Sequence, residues 1–206
     1  MMLKPRKNIL IYRFFEHYVI LKIKKRFSRV LLSGEIRDDR KPILLVANHN
    51  SWWDGLWASY VNTTLFGRKF HFMMMEDQLR KYPFFRYTGA YSVRKGSRDA
   101  YESFQYTLQL LRDPGNLVLL FPQGKLESLY VREFTFEKGA DTIVRRVGEQ
   151  IRVVMMATMV DYFSHVKPGL YIYLREYLPG SGETLEEAYN RFYAESLQAQ
   201  TERRDE

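Results

Sequence analysis

The apolar positions of this sequence fall into short continuous runs that alternate with longer stretches of helical spacing. Residues 43–47 (Ile-Leu-Leu-Val-Ala) and 117–121 (Leu-Val-Leu-Leu-Phe) are apolar throughout and are bounded by proline or polar residues. Runs of this length are typical of strands buried on both faces, because a buried helix is usually longer. The sequence predicts strands over residues 43–47, 91–94, 117–121, 152–160 and 170–175.

Between these runs, apolar residues recur at helical spacing. Residues 99–112 have apolar side chains three or four positions apart, and the pair Pro114-Gly115 ends the pattern. The predicted helices cover residues 54–64, 99–112, 139–148 and 184–200. Strands that alternate with helices predict one α/β domain with a mostly parallel central sheet flanked by helices. In such sheets a site is expected at the carboxyl ends of the strands.

The positive charge is concentrated at the start of the chain. The whole sequence has 32 basic and 24 acidic residues, for a net charge of +8. Residues 1–34 contain nine of the basic residues and one acid, so this segment carries the entire excess and the remainder is neutral. A nucleic-acid-binding surface more often spreads its basic residues along a groove. Because no nucleic-acid-binding motif is recognisable either, we expect no nucleic-acid partner.

The same basic segment is rich in large apolar side chains. Arg13, Glu16, His17 and Lys22 interrupt them, so the apolar stretch falls short of the ~20 residues that a spanning helix needs. It also lacks the uninterrupted apolar region and the cleavage site of a signal peptide. The combination predicts an N-terminal basic amphipathic helix at the surface of an anionic membrane. The alternative is a terminal helix that packs its apolar side on the domain.

The most informative motif follows the first predicted strand. Residues 48–54 read Asn-His-Asn-Ser-Trp-Trp-Asp. In a regular helix His49 and Asp54 would point about 140° apart, so they can meet only if His49 lies in a turn and Asp54 begins the next helix. That arrangement would give a general base and the carboxylate that orients it. Alternatively, Ser51 and Asp54 form a capping box with no chemical role.

Two further blocks extend this motif. Residues 89–94 read Gly-Ala-Tyr-Ser-Val-Arg, and residues 121–124 read Phe-Pro-Gln-Gly. With these blocks the chain resembles the glycerophosphate and lysophospholipid acyltransferase family. That family carries N-H-x-x-x-x-D, G-x-x-x-x-R and F-P-E-G-T-R-S in this order, and the resemblance runs from about residue 34 to about residue 161. It implies that residues 35–206 form an acyltransferase domain like that of 1-acylglycerol-3-phosphate acyltransferases, preceded by the membrane-surface segment 1–34.

The resemblance implies a direct acyl transfer. The co-substrate would be a fatty acyl thioester on coenzyme A or acyl carrier protein, with no further cofactor. His49 would take the proton of a lipid acceptor's hydroxyl, and Asp54 would stabilise the imidazolium that forms. The protein would lie on the cytoplasmic side of a membrane as a peripheral protein. No metal site is expected, because the sequence has no cysteine and its four histidines lack ligand spacing.

The resemblance also implies which residues bind the acceptor. They are Arg94, Pro122, Gln123, Gly124 and Lys125, with added positive charge from Lys95 and Arg98. Three positions depart from the family pattern: Gln123 replaces a glutamate, Lys125 a threonine and Leu126 an arginine. A guanidinium suits a phosphate because it can bind two oxygens at once, so the loss of an arginine at Leu126 weakens the case for a phosphate. The loss of a negative charge at Gln123 leaves a non-phosphate glycolipid as an alternative acceptor. A second alternative is a lipid-binding protein that has lost catalysis.

Overall fold

In the computed structural model, which describes residues 2–37, 39–94, 96–180 and 182–204, the core is a seven-stranded sheet in the order β1-β7-β6-β2-β5-β3-β4. The strands are β1 (Arg29–Ser33), β2 (Ile43–Ala47), β3 (Lys69–Met75), β4 (Ala90–Val93), β5 (Asn116–Leu120), β6 (Arg152–Asp161) and β7 (Gly169–Tyr177). Strands β6, β2, β5, β3 and β4 run parallel. Strand β7 is antiparallel to β6, and β1 is parallel to β7. The predicted α/β fold with a mostly parallel sheet is confirmed.

Helices cover both faces of the sheet. They are α1 (Ile9–Arg26), α2 (Asp54–Val61), α3 (Glu76–Lys81), α4 (Arg98–Leu110), α5 (Gly139–Val147) and α6 (Leu185–Glu202). Helices α1 and α2 pack on one face, and α4, α5 and α6 pack on the other. Strand β2 lies between these layers with all five residues buried, which explains its continuously apolar sequence. The sequence did not predict β1, β3 or α3.

The basic N-terminal segment packs against the domain. In α1, Val19 and Ile23 are fully buried, and Phe27 contacts the rings of Trp53 and Trp57 edge-on. Residues 29–33, which the sequence interpretation placed in the membrane-surface segment, form β1 and pair with β7. None of the helices that the structure describes is long and apolar enough to cross a membrane.

Helix α1 also has apolar residues on its outward side. Leu10, Phe14 and Leu21 are 78%, 67% and 68% exposed, and we call these three residues the outer face of α1. Helix α1 therefore has apolar side chains on two sides, one packed against the domain and one facing solvent. Clusters of large apolar side chains that are exposed on a protein surface usually mark an interaction site.

Gly89 allows β3 and β4 to lie close together. Its φ angle is +102°, and a Cβ atom there would lie 1.9 Å from the carbonyl oxygen of Phe70. Only glycine fits a backbone position with both of these properties. The strand that Gly89 introduces ends at Val93, so Arg94 of the second block follows directly after β4.

Candidate active site

The candidate site lies where β2 and β5 end. These strands are parallel neighbours, with Val46 opposite Leu120. The residues that follow them, His49 and Gln123, therefore leave the sheet at the same edge. Loops at the carboxyl ends of parallel strands are the usual place for a site in this class of fold.

His49 and Asp54 are in contact. The His49 Nδ1 atom lies 2.9 Å from Asp54 Oδ2, and Asp54 is the first residue of α2 and is fully buried. The imidazole stacks on the ring of Phe121, with centroids 4.1 Å apart. The His49 side chain is 27% exposed, and its Nε2 atom forms no hydrogen bond with any residue in the described part of the chain. The ring is thus held on one edge and one face, with Nε2 available to a substrate.

Asp54 also organises the turn that carries His49. Its Oδ2 accepts hydrogen bonds from the backbone N–H groups of Asn50 at 2.6 Å and Ser51 at 2.8 Å. Its Oδ1 accepts one from Ser51 Oγ at 2.7 Å. Asp54 thus holds both the imidazole and the backbone of the turn. Hydrogen bonding of this kind satisfies the buried charge and fixes its position relative to the imidazole. The capping box is not formed, because α2 begins at Asp54 and its N-cap, Trp53, makes no side-chain capping hydrogen bond.

The residues of the third block have separate roles. Gln123 is buried, and its Oε1 accepts the backbone N–H of His49 at 2.6 Å. Gly124, with a φ angle of +63°, turns the chain, and the carbonyl of Pro122 accepts a hydrogen bond from the backbone of Glu137. Lys125 is exposed and pairs with Glu127 at 2.9 Å. Gln123 thus contacts the backbone of His49, whereas the sequence interpretation assigned it to the acceptor.

A buried polar network behind His49 was not predicted. The Oδ1 atom of Asn48 accepts hydrogen bonds from Thr158 N and from Tyr189 Oη, both at 3.2 Å. Tyr189 shares its single hydroxyl proton between this oxygen and the carbonyl oxygen of Met156, which is the nearer at 2.8 Å. Burial raises the pKa of this hydroxyl well above the ordinary value. The Nδ2 atom of Asn48 donates to Asn50. Asn48 and Asn50 lie inside the first motif, but nothing in the sequence of α6 pointed to Tyr189.

Arg94 lies away from this centre. It follows β4, which is separated from β2 by two intervening strands, so about 14 Å lies between the two strands at the usual strand spacing. Its Nε and Nη2 atoms donate to both oxygens of Glu76, at 3.0 and 2.9 Å. Arg80 also donates to Glu76, at 2.8 Å. These hydrogen bonds, that of Arg94 first, lower the pKa of the Glu76 carboxyl.

Two side chains that were predicted to add positive charge at the acceptor site are not described by the structure. Lys95 and the side chain of Arg98 lie outside the described residues. Within the described residues, no group of three or more histidine, aspartate or glutamate side chains could hold a metal ion. Arg94 and Lys125 are thus the described cations at the predicted acceptor site, and each is paired with a carboxylate.

The fold and the site define an α/β protein with a histidine oriented by a buried aspartate at the carboxyl edge of its sheet. The family model described as Acyltransferase matches residues 28–159, which is more than half of the chain. The chain therefore belongs to this acyltransferase family. No curated protein sequence matches it significantly.

A solved structure has the same fold. It is the crystal structure of the 1-acyl-sn-glycerophosphate (LPA) acyltransferase PlsC from Thermotoga maritima. The match has a TM-score of 0.60 and 18% sequence identity, and it covers 93% of this chain and 78% of that chain. At this identity the likeness concerns the fold alone.

Proposed function

We propose that this acyltransferase moves a fatty acyl group from a thioester, acyl-coenzyme A or acyl carrier protein, to a hydroxyl group of a lysophospholipid-type acceptor at a membrane surface. The contact of His49 with Asp54, which leaves Nε2 free at the sheet edge, is the observation that carries the proposal. The acceptor would resemble 1-acylglycerol-3-phosphate, and the reaction would belong to phospholipid biosynthesis.

The site geometry suits a direct transfer. His49 Nε2 accepts the hydroxyl proton as the acceptor oxygen attacks the thioester carbonyl. The tetrahedral intermediate collapses, the carbon–sulfur bond breaks, and the imidazolium returns the proton to the leaving thiolate. Asp54, 2.9 Å from Nδ1, stabilises the imidazolium between these steps. No acyl-enzyme is required, which is consistent with a sequence that has no cysteine.

Two kinds of acceptor head group are candidates, a phosphate and the uncharged sugar of a glycolipid. A phosphate-bearing acceptor is supported by Arg94, whose guanidinium can bind two phosphate oxygens, and by the fold shared with PlsC. An uncharged glycolipid is supported by the ion pairs, because Glu76 engages Arg94 and Glu127 engages Lys125. Leu126, where the family has an arginine, adds no charge. A phosphate would have to displace Glu76 from Arg94 before it could bind there.

Turnover with a panel of acceptors tests both the activity and the head group. We expect the purified protein to consume palmitoyl-coenzyme A with 1-acylglycerol-3-phosphate, and Arg94→Ala to lower kcat/KM for that acceptor about tenfold or more, since charged hydrogen bonds are lost. Arg80→Ala is the matched control, because Arg80 pairs with the same carboxylate. Faster turnover of a glycolipid, unaffected by Arg94→Ala, would replace the phosphate acceptor with the uncharged one.

Membrane contact is supported by the surface next to the site. Lys22 of α1 lies 6.0 Å from the ring of Trp52, an exposed residue of the turn that carries His49. This contact places the C-terminal part of α1 beside the active-site turn. Exposed apolar side chains with basic neighbours suit the interface of an anionic bilayer. The outer face of α1 would then hold the site at the membrane surface where lipid acceptors lie.

Removing the apolar outer face of α1 should weaken membrane binding. We expect the triple substitution Leu10→Ser, Phe14→Ser and Leu21→Ser to lower affinity for anionic vesicles at least about 30-fold. Full burial of each side chain contributes roughly 1.5–3 kcal/mol, and shallow insertion that realises only about half of the lower value for all three still amounts to about 2 kcal/mol. Vesicle sedimentation measures this. The control is Tyr101→Ser with Leu178→Ser, which removes exposed apolar side chains from α4 and from the end of β7. Unchanged affinity of the triple variant would exclude this face as the membrane contact.

A further inference from the structure

The third block departs from the family pattern at one more position. Aligned on Phe121 and Pro122, the serine that ends F-P-E-G-T-R-S corresponds to Glu127. The chain therefore has an amide where the pattern has a carboxylate, and a carboxylate where it has a hydroxyl. Gln123 and Glu127 are four residues apart in sequence, and the turn at Gly124 brings their side chains together.

Both residues hold the backbone of His49. The N–H of His49 donates to Gln123 Oε1 at 2.6 Å, and the carbonyl of His49 accepts the backbone N–H of Glu127 at 2.9 Å. The Nε2 atom of Gln123 donates to Glu127 Oε2 and closes the ring of hydrogen bonds. Each polar backbone group of the candidate base is thus tied to the same pair of residues.

The two exchanges compensate each other chemically. An amide at position 123 has an N–H donor that needs an acceptor in a buried setting, and Glu127 supplies it. A glutamate at position 123 would instead place two carboxylates in hydrogen-bond contact, which like charges disfavour. The hydrogen bond from Gln123, followed by that from Lys125, lowers the pKa of the Glu127 carboxyl. Lys125 also forms an ion pair with Glu127, which balances the negative charge that this chain has at position 127 and the family pattern has at position 123.

We propose that Gln123 and Glu127 form a coupled pair of positioning residues that fixes His49 for acyl transfer, with the carboxylate of the family pattern moved from position 123 to position 127. This inference rests on the proposed function. It changes the meaning of the altered third block: Gln123, which suggested a modified acceptor pocket, instead supports the base together with Glu127. Asn50 strengthens the arrangement, since its Nδ2 donates to the carbonyl of Ser128 at 2.7 Å.

A double-mutant cycle tests the coupling. Gln123→Glu and Glu127→Ser should each lower kcat by about tenfold or more and leave KM for the acceptor within about twofold. The double variant, which rebuilds the family pattern at both positions, should recover to within about threefold of the wild type. Glu127→Gln keeps an acceptor for Gln123 and should retain most activity. Glu133→Ser, an exposed glutamate of the same loop, is the matched control.

A second readout needs no substrate. Hydrogen exchange of the His49 amide, followed by NMR, should speed up in both single variants and slow again in the double variant. Additive losses of kcat together with unchanged exchange would overturn the proposal. Restored exchange without restored kcat would also overturn it, because the pair would then be structural only. A wild type with no turnover on any acceptor would instead refute the enzyme itself, and with it the catalytic role of the pair.

Discussion

Turnover should fall roughly 10²–10⁴-fold when His49 is replaced by alanine, since general-base catalysis usually contributes this much. The structure orients the imidazole at the ends of β2 and β5, through Asp54 on one side and Phe121 on the other. Loss of the ring leaves the acceptor hydroxyl without a group to take its proton. Thioester consumption by wild type and variant, under the same conditions, measures the effect.

The loss must be separated from unfolding. The His49 side chain is partly exposed, so its removal should leave the unfolding transition close to that of the wild type. His17→Ala, which truncates an exposed histidine of α1, is the matched control and should keep full turnover. Lipid binding should survive in both variants. If His49→Ala turned over substrate at the wild-type rate, the imidazole would not be the base, and another group would have to take the hydroxyl proton.

The central part of the fold could be predicted because its signals are local. Strands β2 and β5 are buried on both faces, so residues 43–47 and 117–120 form continuous apolar runs that stand out in the sequence. For His49 and Asp54, the sequence defined the one local arrangement in which they could meet, with His49 in a turn after a strand and Asp54 at a helix start. The structure has this arrangement, and the family model covers it.

Other parts depended on distant neighbours. Strand β3 begins Lys-Phe-His-Phe and is only partly buried, so it lacks the continuous apolar run of a central strand. Its backbone pairs with β4 and β5, which the local sequence does not reveal. Strand β1 was hidden in a basic segment. The partners of Arg94 and Gln123 were also out of reach, because Glu76 lies 18 residues and His49 lies 74 residues away in sequence.

The second large effect is expected at Asp54. Asp54→Asn keeps the volume of the side chain but puts an N–H₂ group among groups that all donate: the N–H groups of Asn50 and Ser51, and Ser51 Oγ. Leaving buried donors unpaired costs about 1–3 kcal/mol each, so we expect the free energy of unfolding to fall by about 2–4 kcal/mol. An asparagine also favours the wrong imidazole tautomer and does not stabilise the imidazolium, so kcat should fall roughly 10²–10⁴-fold.

Urea unfolding and steady-state kinetics distinguish these two consequences. At a denaturant concentration where the variant is fully folded, a loss of kcat comes from the site and not from the unfolded fraction. Ser51→Ala is the informative comparison, because it removes one donor to Oδ1 and leaves the contact of Oδ2 with His49 in place. It should destabilise the protein less and largely preserve kcat. Equal losses of kcat in Ser51→Ala and Asp54→Asn would mean that Asp54 serves the turn alone, and His49 would then act without an orienting carboxylate.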